Sequence, residues 1–208
     1  MADNASEMPP ESEGARAILE VAVRLFSEKG FDAVSMNEIA KAAGVSKANV
    51  FHHFGSKCDL YLATLRVACD SSSQVISETA KADGPYEQRL ADFLHNHLKT
   101  MLENEEANRL ILRELMEHGA LRGKELAEQV FGEQFSGLIS IVLEGQKQGI
   151  LKKDLDPALL ALILVSNNIF FFQTQQVLRH FPGVSFADEP AIYSQQVMNI
   201  LLNGIRDE

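Results

Sequence analysis

Between Ser35 and Lys57 the chain reads Ser-Met-Asn-Glu-Ile-Ala-Lys-Ala-Ala-Gly-Val-Ser-Lys-Ala-Asn-Val-Phe-His-His-Phe-Gly-Ser-Lys, and no other stretch narrows the possible folds as much. Ser35 can N-cap a helix, with Glu38 as its capping-box partner. Ile39, Ala40 and Ala43 give that helix an apolar stripe, and Gly44 stands where the chain must leave it, a position suited to positive φ. Val45 turns inward. Ser46 then caps a second helix through Lys47, Ala48, Asn49, Val50, Phe51, His52 and His53. Two short helices joined by a glycine turn form a helix-turn-helix, whose second helix enters the DNA major groove. The bare pattern also occurs in all-α proteins that never touch DNA, so its flanks carry weight.

Those flanks are Ala22-Val-Arg-Leu-Phe26, Gly30-Phe31, Ile39-Ala40, Ala43-Gly44-Val45-Ser46, Phe51-His-His-Phe54, Ser56-Lys57 and Leu60. As an ordered set they resemble the tetracycline-repressor (TetR) family of bacterial transcriptional regulators. The resemblance covers roughly residues 13–66, and beyond that the chain matches only in helical layout. It implies an all-α fold of about nine helices. An N-terminal three-helix helix-turn-helix domain (13–66, motif about 36–55) would precede a helical effector-binding and dimerisation domain (67–208). Residues 1–12, acidic and Pro-bearing, read as a disordered arm and not a signal peptide.

A net charge of −10 is unusual for a DNA-binding chain. Its distribution removes the difficulty. Residues 13–66 hold seven basic and six acidic side chains, whereas residues 67–208 hold twelve and twenty, and residues 1–12 hold three acids and no base. The acidity lies away from the proposed DNA face, where it disfavours non-specific adhesion to nucleic acid. This excludes a general nucleic-acid coat protein and leaves a sequence reader standing. The longest apolar runs, Ala158–Val165 and Ile169–Phe172, are split by Ser166-Asn167-Asn168 and read as too short for a bilayer, so a soluble, cytoplasmic protein is expected. Cys58 and Cys69 lie on one expected helix, roughly 16 Å apart at about 1.5 Å rise per residue, beyond disulfide reach. Two free thiols fit a reducing compartment. Cys58 could sense redox state or be a plain surface residue.

Helical periodicity sets out the rest. A first helix spans about Glu13 to Lys29, and a fourth runs from Ser56 to the break at Asp83-Gly84-Pro85. In the body, helices are expected over about Tyr86–Glu103, Glu105–Glu117, Arg122–Gln148, Pro157–Phe181 and from Pro190 onward. The Pro157 helix is apolar almost all round, which calls for burial on more than one side. By resemblance the fourth helix joins head to body, and the last two helices form a four-helix bundle with a second subunit, a homodimer suited to a palindromic operator. Leu164, Phe172, Tyr193, Val197, Ile200 and Leu201 are the interface candidates.

For contact with double-stranded DNA the candidates are Ser46, Lys47, Asn49, His52 and His53. Lys47 can donate to guanine or phosphate and Asn49 to adenine or backbone; Ala48 permits close approach. Ser35, Met36 and Asn37 would meet the opposite backbone. Lys57 resembles the family lysine that grips phosphate. Phe51 stands where the family usually has Tyr, and the missing hydroxyl removes one hydrogen bond, ~0.5–1.5 kcal/mol. His52 and His53 point about 100° apart and cannot share a metal ion, and His95 and His97 fail likewise, so no metal site is expected.

The resemblance also implies a small effector, for which a mainly apolar or aromatic molecule is the favoured class. Phe93, Met116, Phe131, Phe135, Phe170 and Phe171 offer lining, and Arg113, His118, Asn167, Asn168 and Gln173 offer polar handles. The same residues would serve equally as core. No nucleophile–base pair, phosphate loop or metal spacing points to an enzyme, and no cofactor is implied. Three function classes remain: a ligand-released repressor, an activator or dual regulator, and a helical ligand-binding protein or enzyme without specific DNA binding.

Overall fold

The computed structural model describes residues 12–205, so the expected arm falls almost wholly outside it; its last residue, Ser12, caps the first helix. Among the described residues the chain is helical, in the order α1 (Glu13–Lys29), α2 (Met36–Ala42), α3 (Lys47–Phe54), α4 (Lys57–Lys81), α5 (Tyr86–Glu103), α6 (Glu105–Leu126), α7 (Gly132–Lys147), α8 (Pro157–Leu178) and α9 (Pro190–Ile205). A π-helical turn, Ala127–Phe131, makes α6 and α7 one continuous run.

Serine hydroxyls start the head helices. Ser12, Ser35, Ser46 and Ser56 accept from the backbone N–H groups of Ala15, Glu38, Asn49 and Asp59 at 3.1–3.2 Å. Each satisfies a donor that the first helical turn leaves open. Only half of the expected capping box forms, because the Glu38 carboxylate pairs with Lys29 of α1 instead of turning back to Ser35. Gly44 carries a φ of 69°, the left-handed turn the helix-turn-helix needs. Asp156 caps α8, with Pro157 in its first turn.

The helix expected to break near Glu117 does not. α6 passes through Gly119 and Gly123 because Glu114, His118 and Arg122, spaced by one turn each, bond along one face. The π turn follows at Ala127–Phe131, and just after it a β-carbon on Gly132 would lie 2.8 Å from the Ala127 carbonyl oxygen. α8 likewise continues through Ser166-Asn167-Asn168. It is therefore one helix of 22 residues with mean hydropathy 1.5, long and apolar enough to cross a bilayer by length and composition alone. Leu160, Ala161, Leu164, Asn168, Phe171 and Gln175 form a single inner face that is buried in the protein.

Two compact units emerge, one from the chain up to Ala68 with Glu106–Glu125, the other from Cys69–Glu105 with Leu126 onward. In the first, α1, α2 and α3 pack together, and Phe26 meets Tyr61 edge-on at 4.8 Å. In the second, α5 packs on α8 and α9, and α7 on α8. Phe93, Leu94, Leu138, Val142, Leu160 and Leu164 lie in its core. Each such side chain contributes about 1.5–3 kcal/mol through burial. Arg89 closes the far end of α4 by donating to the carbonyls of Thr79 and Ala80 while forking onto both Glu144 oxygens at 2.7 and 3.1 Å. That pairing holds the Glu144 carboxyl below its ordinary value.

Candidate nucleic-acid interface

α3 is amphipathic in the manner a reading helix requires. Val50 is fully buried under it, and Ser46, Lys47, Ala48, Phe51 and His52 are exposed. The Lys47 ammonium lies 5.8 Å from the Phe51 ring centroid, so a cation and a flat apolar surface stand side by side. Asn49 and His53 face elsewhere. Both lie against the first turn of α1, where a β-carbon on Gly14 would stand 3.7 Å from His53 Nε2 and 3.9 Å from Asn49 Oδ1. Asn49 Oδ1 is buried there without a hydrogen-bond partner. A β-carbon at residue 14 would make only ordinary van der Waals contacts with these two side chains.

Around α3, Ser35 and Asn37 are exposed, whereas Met36 is a core residue of the head. Lys57 rests over the Phe31 ring at 4.3 Å and donates to the Asp32 carbonyl, placing a cation at the start of α4. Among the described residues no three His, Cys, Asp or Glu side chains converge on a metal position.

α6 is tied to this head by two neighbouring side chains that the sequence did not single out for the purpose. Arg113 lies over Gly30 and donates to the Ser27 carbonyl, which covers the end of α1. Glu114, entirely buried, accepts from the Tyr61 hydroxyl of α4 and from Arg122, and its Oε2 lies 2.9 Å from His118 Nδ1. Burial and this carboxylate push the Tyr61 phenol well above its ordinary pKa. Arg122 also pairs with Glu125 and approaches the exposed Cys58 thiol at 4.0 Å. Three of the effector candidates are thus in the first unit: Arg113 and His118 are engaged as described, and Met116 is 80% exposed.

The others fall in the second unit. Phe93 and Asn168 meet around His97, with the Phe93 and His97 rings stacked at 5.6 Å and Asn168 Nδ2 3.1 Å from His97 Nδ1. Burial pushes the His97 imidazole down to about 4. Phe171 instead stacks on Tyr193 at 4.2 Å, and Tyr193 donates to the Asn167 carbonyl. Phe131 is half-buried, Phe135 and Gln173 are exposed, and Phe170 is 65% exposed. In the sequence His97 stood out only beside His95, as a pair that cannot share a metal ion.

The interface candidates separate as well. Leu164 points into the core, Val197 and Leu201 flank it, Phe172 and Tyr193 are half-buried, and Ile200 is 73% exposed. The outer face of α8 carries Leu159, Leu162, Phe170 and Val177, all exposed and all at helical spacing.

Three capped helices with a glycine turn, and a second motif helix bearing cationic and apolar side chains outward, define a helix-turn-helix DNA-binding protein. The profile of bacterial regulatory proteins of the TetR family matches residues 18–64, and that of the tetracyclin repressor-like C-terminal domain matches residues 87–200. The chain belongs to the TetR family and is a transcriptional regulator, not an enzyme. It is 26% identical over 196 residues to the HTH-type transcriptional regulator RutR of Escherichia coli K12, covering 92% of this chain and 90% of that one. It is 36% identical over 81 residues to the transcriptional activator FasR of Mycolicibacterium smegmatis, covering 39% and 37% of the two chains. Its fold also matches FadR of Bacillus subtilis, solved in complex with stearoyl-CoA, with a TM-score of 0.74 at 18% identity over 91% of this chain and 98% of that one.

Proposed function

We propose that the protein is a homodimeric repressor that reads a palindromic operator through α3 and leaves it when a small, mainly apolar or aromatic effector binds the helical body. The observation that carries this reading is the exposed row Lys47, Ala48, Phe51 and His52 above a buried Val50. Residues 13–66 serve as the reading head and residues 67–208 as the effector-binding and dimerisation part. The exposed apolar row on α8, with Ile192 and Ile200 of α9, supplies the self-complementary face that a two-fold dimer needs. A dimer bound to two half-sites then acts in the cytoplasm, where the DNA is. Repression is favoured by the likeness to a tetracyclin repressor's C-terminal domain, and ligand release by the acyl-CoA complex of a protein of the same fold.

Gel shift against the DNA flanking its own gene tests the reading. Wild type should bind with salt-dependent sequence specificity, and a Lys47→Ala, His52→Ala double variant should lose it. Equal, weak binding by both would overturn the proposal. Deleting the gene should raise transcription of the neighbouring target, and a fall would assign an activator instead.

A further inference from the structure

We propose that Asn168 and His97 form the polar recognition point for the effector, and that this point selects a neutral molecule carrying a hydrogen-bond donor, such as a primary amide, lactam or alcohol, over a carboxylate or phosphate. The assignment rests on the effector-binding reading above and names its chemical class.

Asn168 lies on the inner face of α8 with no solvent exposure. Its amide nitrogen donates to the Leu94 carbonyl inside α5 at 2.8 Å, and this fixes the orientation, since reversing the amide would set oxygen against oxygen. The same nitrogen lies 3.1 Å from His97 Nδ1. An amide nitrogen can only donate, so Nδ1 accepts and the ring proton sits on Nε2. Asn168 Oδ1 is then left buried with no donor. Buried polar groups are nearly always bonded, and an exception marks a place that water, an ion or a ligand completes.

Other buried amides show what ordinary structural service looks like. Gln146 holds the carbonyls of Lys152 and Leu155, and Gln175 holds that of Ala187, each fastening a loop to the core. Asn168 fastens no loop. It joins two helices and keeps an acceptor unspent.

The ligand chemistry follows from those atoms. Oδ1 accepts only, so the atom that completes it is an N–H or O–H. A carboxylate or phosphate would oppose acceptor to acceptor. It would also find no cation in the pair, because burial keeps the imidazole neutral. The Phe93 ring, stacked on His97 at 5.6 Å, supplies a flat apolar wall beside the polar point, suited to an aromatic or aliphatic body.

The test uses the full chain and three matched head groups, primary amide, carboxylate and methyl, on phenyl, cyclohexyl and hexyl bodies. Each compound is titrated by calorimetry into wild type and into Asn168→Leu, which keeps the branched shape and cannot accept. The expected result is that the amide binds tightest on at least one body, by on the order of tenfold, and loses that margin in the variant. The assignment is overturned if the carboxylate or methyl compound binds as tightly, if the variant keeps the margin, or if no compound of any series binds. A crystal structure of the amide complex showing only water on Oδ1 also overturns it. Should Asn168→Leu fail to fold, the head-group ranking on wild type decides alone. Operator binding by the ligand-free protein is measured alongside. If that binding is present while the ranking fails, only this assignment falls; if it is absent, the regulator reading falls.

Discussion

The Tyr61 hydroxyl donates to Oε2 of Glu114 across 2.8 Å, joining α4 to a carboxylate that has no contact with solvent. Arg122 supplies the compensating charge at 2.9 Å. Removing one partner of a buried ion pair costs far more than the pair contributes, because the remaining charge is stranded. Arg122→Met should therefore destabilise the protein by about 3–5 kcal/mol. Tyr61→Phe, which deletes one hydrogen bond to the same carboxylate, should cost about 1.5–3 kcal/mol. Urea unfolding of both variants checks the order, and a Tyr61→Phe loss exceeding that of Arg122→Met would contradict it.

Burial lowers the His97 pKa to about 4, against about 6.5 for an unfolded histidine. Between these values the unfolded chain binds the extra proton, so stability rises with pH across the window and is lost as pH falls from about 6.5 toward 4. The loss approaches about 1.4 kcal/mol per pH unit at its steepest. His97→Gln should flatten the dependence of the urea midpoint between pH 6.5 and 5 relative to wild type. An unchanged slope would refute the assignment.

Gly145 lies under a buried aromatic ring. A β-carbon there would come within 2.4 Å of the Tyr86 ring, whose hydroxyl is held by the Ile141 carbonyl at 2.9 Å. The ring cannot withdraw without giving up that bond. Gly145→Ala should thus destabilise by about 1–3 kcal/mol despite its better helix propensity, whereas Gly14→Ala, with only van der Waals contacts ahead of it, should fold normally. Melting temperatures of the two variants make the comparison directly.

On DNA, Lys47→Ala should weaken binding across all sequences and lower the slope of log affinity against log salt by about one. Phe51→Tyr restores a donor at an exposed position of α3 and should tighten operator binding by about 0.5–1.5 kcal/mol. Fluorescence anisotropy at several salt concentrations measures both.

If the outer face of α8 meets a second copy, Phe170→Glu should give monomers in light scattering and abolish operator binding while leaving helicity unchanged. Ser166→Glu, on the same face, provides a charge control of smaller apolar loss. Persistence of the dimer in Phe170→Glu would move the interface elsewhere.

The head was legible because its signals are local. Ser35, Ser46, Gly44 and the stripe Ile39-Ala40 act within a turn or two of the chain, and the structure realises each of them. The body was legible in period but not in partner. Phe170 and Phe171 are adjacent and chemically identical, yet one is exposed and the other buried, since a step of 100° along α8 moves a side chain from the outer face to the inner. Likewise a break was expected between Glu117 and Arg122, and what carries α6 through is the chain of bonds from Glu114 to His118 and Arg122.

By itself the sequence determined the helix-turn-helix, the all-α class and the family, because caps, glycine turns and apolar spacing are written within a few neighbouring residues. Tertiary structure alone decided which polar groups are buried and with whom. Tyr61 meets Glu114 across 53 positions and Asn168 meets His97 across 71, and no local pattern encodes such pairs. Desolvation, which sets the pKa of His97 and the open acceptor of Asn168, exists only once distant segments have closed around them.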